Sequence, residues 1–300
     1  MLFWSAKKTR FASVLIFGLI LWSAAGCNAE NCPKFQAGHK TGTSQSPLIR
    51  EASGLAASRK NSGILWTHND DGPACVYAIT KEGKYLGSYN LIGARNRDWE
   101  DIAIGPGPEV NIDYLYIGDI GDNNSKQKSI KVYRVPEPDV NVNQRPLAVN
   151  IDKVEIIELI YPDGPRNAET LMVDPLTKDI YIVSKEGKSN VYRAAYPQSL
   201  TNTTTLEQVA KSKWGMATGG DISPDGNEII IRDYYSGSLW IRPKEAPLWK
   251  AFEGSECSIP IIIEKQGEAI CFDSEGKGYY TISEHKFQPI YYFARVKRKD

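Results

Sequence analysis

The 300-residue chain carries no charge surplus: 36 Lys and Arg balance 36 Asp and Glu, so the net charge is zero. Nothing in that balance favours a nucleic-acid polymer, and there is no basic tail. Cysteine is scarce. Cys27, Cys32, Cys75, Cys257 and Cys271 are the five present, and their scatter lacks the short paired spacings of a zinc site. In an oxidising compartment some are expected to pair; Cys75 and Cys271 lie in strand-like runs and are also open to a reading as buried free thiols. Convincing helical periodicity is missing. So are a Ser-His-Asp order, a glycine-rich phosphate loop and a Cys-His pairing. Long apolar runs are missing too. The longest, residues 11–22, has 12 residues, against the ~20 that a membrane span needs.

That short run has its own meaning. Lys7, Lys8 and Arg10 precede it and Ala24-Ala25-Gly26 follow it, the pattern of a cleaved secretion signal over residues 1–26. The expected product is secreted and extracellular, with no transmembrane span after signal removal. Cys27 directly follows the small residues, so a bacterial lipoprotein anchored through Cys27 is the alternative. Asn123-Asn124-Ser125 and Asn202-Thr203-Thr204 are glycosylation sequons, which have force only in a eukaryote.

What the chain does have is repetition. Five times an acidic residue stands just ahead of a short apolar strand, and a turn follows. The stretches are Glu51-Ala-Ser-Gly-Leu-Ala, Glu100-Asp-Ile-Ala-Ile-Gly, Glu169-Thr-Leu-Met-Val-Asp-Pro, Asp221-Ile-Ser-Pro-Asp-Gly and Glu268-Ala-Ile-Cys-Phe-Asp-Ser-Glu-Gly. Aligned on Ser53, Glu100, Glu169, Asp221 and Glu268, the repeats step by 47, 69, 52 and 47 residues. The long step holds a Pro/Asn-rich stretch, 139–153, expected as a loop. After each repeat start the pattern predicts further short strands, among them 64–68, 114–118, 180–184, 228–232 and 278–283, with 249–252 as the outer strand of the fourth repeat.

A four-stranded unit of ~40–50 residues repeated around a ring is a β-propeller. The expected fold is therefore all-β, with five blades of four antiparallel strands in a domain over 49–300. A six-bladed ring or a β-sandwich is the alternative. The fifth repeat has only three strands, so the arm at 27–48 is expected to supply its outer strand and close the ring, which leaves no open strand edge.

In a propeller the start of each innermost strand and the loops joining the second and third strands share one face. That places Ser53, Glu100, Glu169, Asp221 and Glu268 around one mouth of the central channel. Carboxylates crowded there repel unless they take up protons or a cation. Hard oxygens without His or Cys suit Ca²⁺. The rival reading is that these acids tie blades together through backbone N–H groups. Glu51 and Asp101 compete as ligands in their repeats. His68 and His285 fall on blades that become neighbours on closure, and are expected as a solvated pair.

The chain resembles the calcium-dependent apyrases at Glu51-Ala-Ser-Gly-Leu, Trp66-Thr-His-Asn-Asp-Asp-Gly-Pro-Ala-Cys-Val-Tyr-Ala-Ile, Glu100, Asn167-Ala168-Glu169, Gly219-Gly220-Asp221 and Gly267-Glu268-Ala269. These are secreted five-bladed propellers that hydrolyse nucleoside diphosphates. The resemblance covers most of 50–296 in short patches and implies central calcium ligands at the five aligned positions. The chain departs from the family where phosphate would be held: Gly121-Asp122-Asn123-Asn124 replaces a Gly-Lys-Glu-Trp, and Lys185-Glu186 replaces an Arg-Arg pair. Asp98-Trp99-Glu100-Asp101-Ile102-Ala103 and Gly118-Asp119-Ile120-Gly121-Asp122-Asn123 are also similar to secreted propellers of unassigned function.

Two functions follow as expectations. One is a secreted Ca²⁺-binding propeller whose loop face takes an extracellular protein, glycan or small-molecule ligand. The other is a Ca²⁺-dependent hydrolase of nucleoside diphosphates or another phosphoanhydride or ester. In that case Glu100, Asp119 or Asp122 would serve as base and Lys185 or Arg232 would hold phosphate.

Overall fold

The computed structural model describes residues 32–297, together with Met1. Residues 2–26 of the expected signal and Cys27 lie outside the described residues. Strand β1 (His39–Thr43) runs to the far end of the ring and belongs to the last blade. Blade 1 is built from β2 (Leu55–Ala57), β3 (Ile64–His68), β4 (Cys75–Thr80) and β5 (Tyr85–Leu91). Blade 2 has β6 (Trp99–Pro106), β7 (Asp113–Asp119) and β8 (Ile130–Pro136). After the insertion, β9 (Leu147–Ile151) adds to blade 1 and β10 (Glu155–Ile160) completes blade 2. Blade 3 has β11 (Ala168–Val173), β12 (Ile180–Ser184), β13 (Asn190–Ala194) and, after the two-residue β14 (Thr204–Thr205) that pairs with β10, β15 (Glu207–Lys211). Blade 4 has β16 (Gly219–Ile222), β17 (Glu228–Arg232), β18 (Gly237–Ile241) and β19 (Cys257–Ile259). Blade 5 has β20 (Gly267–Phe272), β21 (Gly278–Ser283) and β22 (Pro289–Ala294).

The fold is a five-bladed β-propeller. The first strand of each blade is innermost, and these five adjoin in a ring: β2 neighbours β6 and β20, β11 neighbours β6 and β16, and β16 neighbours β20. The arm closes the ring as expected, because β1 pairs antiparallel with β22 as the fourth strand of blade 5. A Cys32–Cys257 disulfide, with Cα atoms 5.6 Å apart, ties the start of that arm to β19. Cys75 and Cys271 are buried free thiols. No helix among the described residues is long and apolar enough to cross a membrane. Asn123 and Asn202 of the two sequons are both exposed.

The core lies between blades. Trp66, Trp99 and Tyr133 are buried in the cluster that joins blades 1 and 2. Burying side chains of this size stabilises by roughly 1.5–3 kcal/mol each. Two expectations need correction. Residues 249–252 are not the outer strand of blade 4. A 3-10 helix spans Leu248–Glu253 there, with Pro247 as its N-cap and a backbone bond from Lys250 to Pro247. The helix is held because Phe252 packs on Trp214 and Trp240, with ring centroids 5.8 and 5.3 Å away. Its role as outer strand passes to β19. The 139–153 stretch is not loop throughout, since β9 lies parallel to β5 over Leu147–Ile151.

Candidate metal centre

Three of the innermost strands slip by one residue near their start. Trp99 pairs with Asp119 and Asp101 with Gly118, which leaves Glu100 as the extra residue. The same slip isolates Glu169 between Ala168 and Thr170, and Glu268 between Gly267 and Ala269. A bulge of this kind re-aims one side chain and is favoured beside functional sites. Here it converges three carboxylates: Glu100, Glu169 and Glu268 each offer an oxygen within 4.8 Å of the others. All three are buried, at 4–5 % exposure.

The fourth blade has no slip. Gly219, Gly220 and Asp221 pair in unbroken sequence with Arg232, Ile231 and Ile230. Asp221 therefore does not join the three glutamates. Its Oδ1 accepts from Ile222 N at 2.8 Å and its Oδ2 from Phe272 N at 2.9 Å, bridging blade 4 to blade 5. Asp101 makes the equivalent tie, accepting from Ile102 N and from Leu171 N of blade 3. Asp101 and Asp221 thus tie blades together through backbone N–H groups, as one of the two expectations had it. Gly219 and Gly220 precede Asp221, and a Cβ on Gly219 would come within 2.5 Å of the Glu268 carbonyl oxygen. In blade 1, Ser53 is buried and its hydroxyl donates to the Glu51 carbonyl at 3.2 Å. Glu51 itself turns to Arg50, 3.5 Å away.

The glutamate cluster is only partly balanced. Lys185 Nζ lies 2.7 and 2.6 Å from the two Glu169 oxygens. It also donates to the Tyr234 hydroxyl at 2.7 Å, and that hydroxyl donates to Glu268 Oε1 at 2.8 Å. Glu100 has no such partner: no hydrogen bond or ion pair from any described residue reaches its carboxylate. Burial raises its pKa well above the ordinary range, and the charges of Glu169, Asp70, Asp98 and Glu268 add to that. Burial also lifts Glu169 to about 7, against the pull of Lys185. Burial opposes the Lys185 ammonium, but Glu169 and Tyr234 outweigh it and raise its pKa.

Further carboxylates crowd the same mouth from the loops that join second and third strands. Asp70 is lifted to about 7 by burial and by Asp98, and Glu284 to about 8 by burial and by Glu268. Asp98, Asp70 and Glu100 also lie with oxygens within 4.8 Å of one another. Asp70 and Glu284 belong to polar loops visible in the sequence, but Asp-Gly and Glu-His steps in such loops equally signal plain turns. Asp98 precedes the second repeat start by two residues, and no spacing rule singles it out.

The donor set fits a hard divalent cation. Ca²⁺ takes oxygens at 2.3–2.6 Å, so two ligands of one ion lie at most about 5 Å apart, and the three glutamates meet that limit. A cation there would also supply what the site lacks, a charge to match Glu100.

The other candidates have local duties. Asp119 is buried, accepts from Asp98 N at 3.0 Å and faces Arg97; its pKa is raised by burial. Asp122 Oδ2 accepts from Gln127 N at 2.7 Å. Arg232 is 1 % exposed, donates to the Asp233 and Ala269 carbonyls, and lies 3.9 Å from Glu264. Burial lowers its pKa to about 10. The two histidines are not a solvated pair. His68 is wholly buried with Nδ1 3.0 Å from Asn69 O, and burial holds it near pKa 4, while His285 stands exposed. The packing of Gly54 against the His68 ring explains this, since a Cβ there would lie 2.6 Å from Nε2.

No protein-family model matches the chain, and no curated protein matches it. Among solved structures, it is similar to a chain of "Crystal structure of Nidogen/Laminin Complex" at 14 % identity, covering 78 % of this chain and 73 % of that one, with a TM-score of 0.45. The five-bladed architecture is read from this chain's own sheets.

Proposed function

We propose that this protein is a secreted, Ca²⁺-binding β-propeller that presents its channel-mouth face to an extracellular ligand. The carrying observation is Glu100. It is a buried carboxylate without a donor, placed by a β-bulge against two other bulged glutamates. An unpaired buried charge is costly, and a site of this kind is relieved by a proton or a cation. Glu100, Glu169 and Glu268 would hold the ion, with Lys185 and Tyr234 fixing two of them in place. Asp221 and Ser53 serve the frame around it. Bound Ca²⁺ would supply positive charge at the mouth and lock three blades together.

The ligand face is supported by exposure. Among the described residues, the two exposed large aromatic side chains are Tyr235 and Phe287, and both sit on loops at this mouth. Exposed aromatics are favoured in interfaces. The disulfide and the exposed sequons agree with an oxidising, extracellular setting. Calorimetric titration of the purified protein with Ca²⁺ tests the reading. Saturable binding that Glu100→Gln removes supports it; no heat, with no calcium retained on purification, overturns it.

The resemblance to calcium-dependent apyrases supports a second reading, a phosphoanhydride hydrolase using the same ion. Against it, Arg232 is buried and Lys185 is engaged by Glu169 and Tyr234, which leaves neither side chain free for phosphate. Phosphate release from ADP, UDP or GDP in the presence of Ca²⁺ would establish this reading; none is expected.

A further inference from the structure

We infer that the channel mouth holds two calcium ions, the second bound by Asp70 and Asp98 and bridged to the first through Glu100. This rests on the calcium reading above and extends it. Three observations carry it. First, Glu100 belongs to two triplets at once, with an oxygen within 4.8 Å of Glu169 and Glu268 and an oxygen within 4.8 Å of Asp70 and Asp98. The residue is 5 % exposed, and its carboxylate receives no donor from a described residue. One carboxylate with two oxygens is suited to join two hard ions, as in two-metal sites.

Second, the chain leaves room for this approach. Gly121 faces the gap between the two acids: a Cβ there would lie 2.3 Å from Glu100 Oε1 and 2.4 Å from the Asp98 carboxyl carbon. Gly121 N donates to the Asp98 carbonyl at 3.1 Å, which fixes the glycine backbone against the pair. Any other residue would push the carboxylates apart. Asp70 and Asp98 come from different segments, the loop after β3 and the approach to β6. Trp99 N donates to the Asp70 carbonyl at 3.1 Å and draws the two segments together. Neither side chain accepts a hydrogen bond from a described backbone donor, so neither has a structural duty of the kind seen at Asp101 and Asp221.

Third, the outer pair opens toward solvent while the three glutamates are buried. Asp70 and Asp98 are half-exposed, so the outer ion keeps open coordination positions toward solvent. That makes it the position at which an anionic ligand group, carboxylate, sulfate or phosphate, would contact metal.

The test is calcium stoichiometry. The full mature protein is dialysed to equilibrium against millimolar Ca²⁺ at neutral pH, and bound calcium per chain is measured by atomic emission. Wild type is expected to hold two ions, Asp70→Asn/Asp98→Asn one, Glu268→Gln one, and Glu100→Gln none. These amide variants keep side-chain size, and circular dichroism confirms that each is folded. A single ion in wild type, kept in D70N/D98N and lost in E268Q, overturns the second position while the central reading stands. A single ion lost in D70N/D98N and kept in E268Q overturns the central reading and leaves the outer position. No bound ion overturns both.

Discussion

Replacing Glu100 by Gln should make the metal-free protein more stable and the calcium-saturated protein relatively less so. The size follows from the site. Two unit charges at the 4.8 Å limit within which these oxygens lie repel, at an effective dielectric of ~20, by about 3.5 kcal/mol. Glu100 faces two such neighbours, Glu169 and Glu268, with Asp70 and Asp98 on its other side. The metal-free cluster relieves part of this by keeping protons, so the net gain on neutralising Glu100 is about 1–3 kcal/mol at neutral pH. For a chain of this length that raises Tm by roughly 2–8 °C in EDTA. Because Glu100 accepts no hydrogen bond, Gln gives up none. Below about pH 4, where carboxyls are protonated in the unfolded chain too, the difference should vanish. With Ca²⁺ at a hundred times its Kd, wild type gains about 2.7 kcal/mol from each ion bound and E100Q gains nothing. Thermal denaturation of both proteins, with EDTA and with Ca²⁺, reads all of this. An E100Q protein that is less stable in EDTA, or that calcium stabilises as much as wild type, would refute the reasoning.

Lys185→Met breaks a buried ion pair with Glu169 and should cost the metal-free protein about 3–5 kcal/mol, yet it removes a competing cation, so calcium affinity by calorimetry should rise about tenfold or more. Asp221→Asn loses one of two backbone acceptors between blades 4 and 5 and should destabilise by about 1–3 kcal/mol, equally with calcium and without it; a loss confined to the calcium-bound state would place Asp221 at the ion instead. Stability in EDTA should also depend on pH through the raised carboxyls. Asp70 and Glu169 sit near 7 and Glu284 near 8, above ~4 in the unfolded chain. The folded state then binds more protons, so this contribution is full below about pH 4, is lost as pH rises through 7–8, and is level above. Calcium affinity should climb across the same window. Cys32→Ser/Cys257→Ser should lower stability by about 2–5 kcal/mol and increase proteolysis of the arm that carries β1.

The fold was legible because propeller blades announce themselves locally. Ile64–His68, Ile180–Ser184, Glu228–Arg232 and Gly278–Ser283 are bounded by turn residues and coincide with the strands expected at those positions. The missing strand of blade 5 could be assigned to the arm because an open edge would be unsatisfied. The site was legible in part, and the reason is the bulge. Glu100, Glu169 and Asp221 look alike in sequence, each acid opening an apolar run. Whether a strand slips by one residue there depends on its partner's register, as Gly219–Ile222 against β17 shows. Asp98 stands in a patch similar to other propellers, but nothing there marks it as a ligand, because its closeness to Asp70 depends on a loop of blade 1 that no spacing in the sequence reveals. The fourth blade's outer strand misled for a related reason. The apolar residues of Leu248–Glu253 satisfy a strand pattern, but Pro247 and the packing of Phe252 on Trp214 and Trp240 make a short helix the better cover.

A crystal of the protein grown with Ca²⁺, measured at a wavelength where calcium scatters anomalously, addresses the central claim most directly. An anomalous peak among the carboxylate oxygens of Glu100, Glu169 and Glu268 is the predicted result. Water or the Lys185 ammonium filling that space under saturating calcium, with no peak, would contradict it.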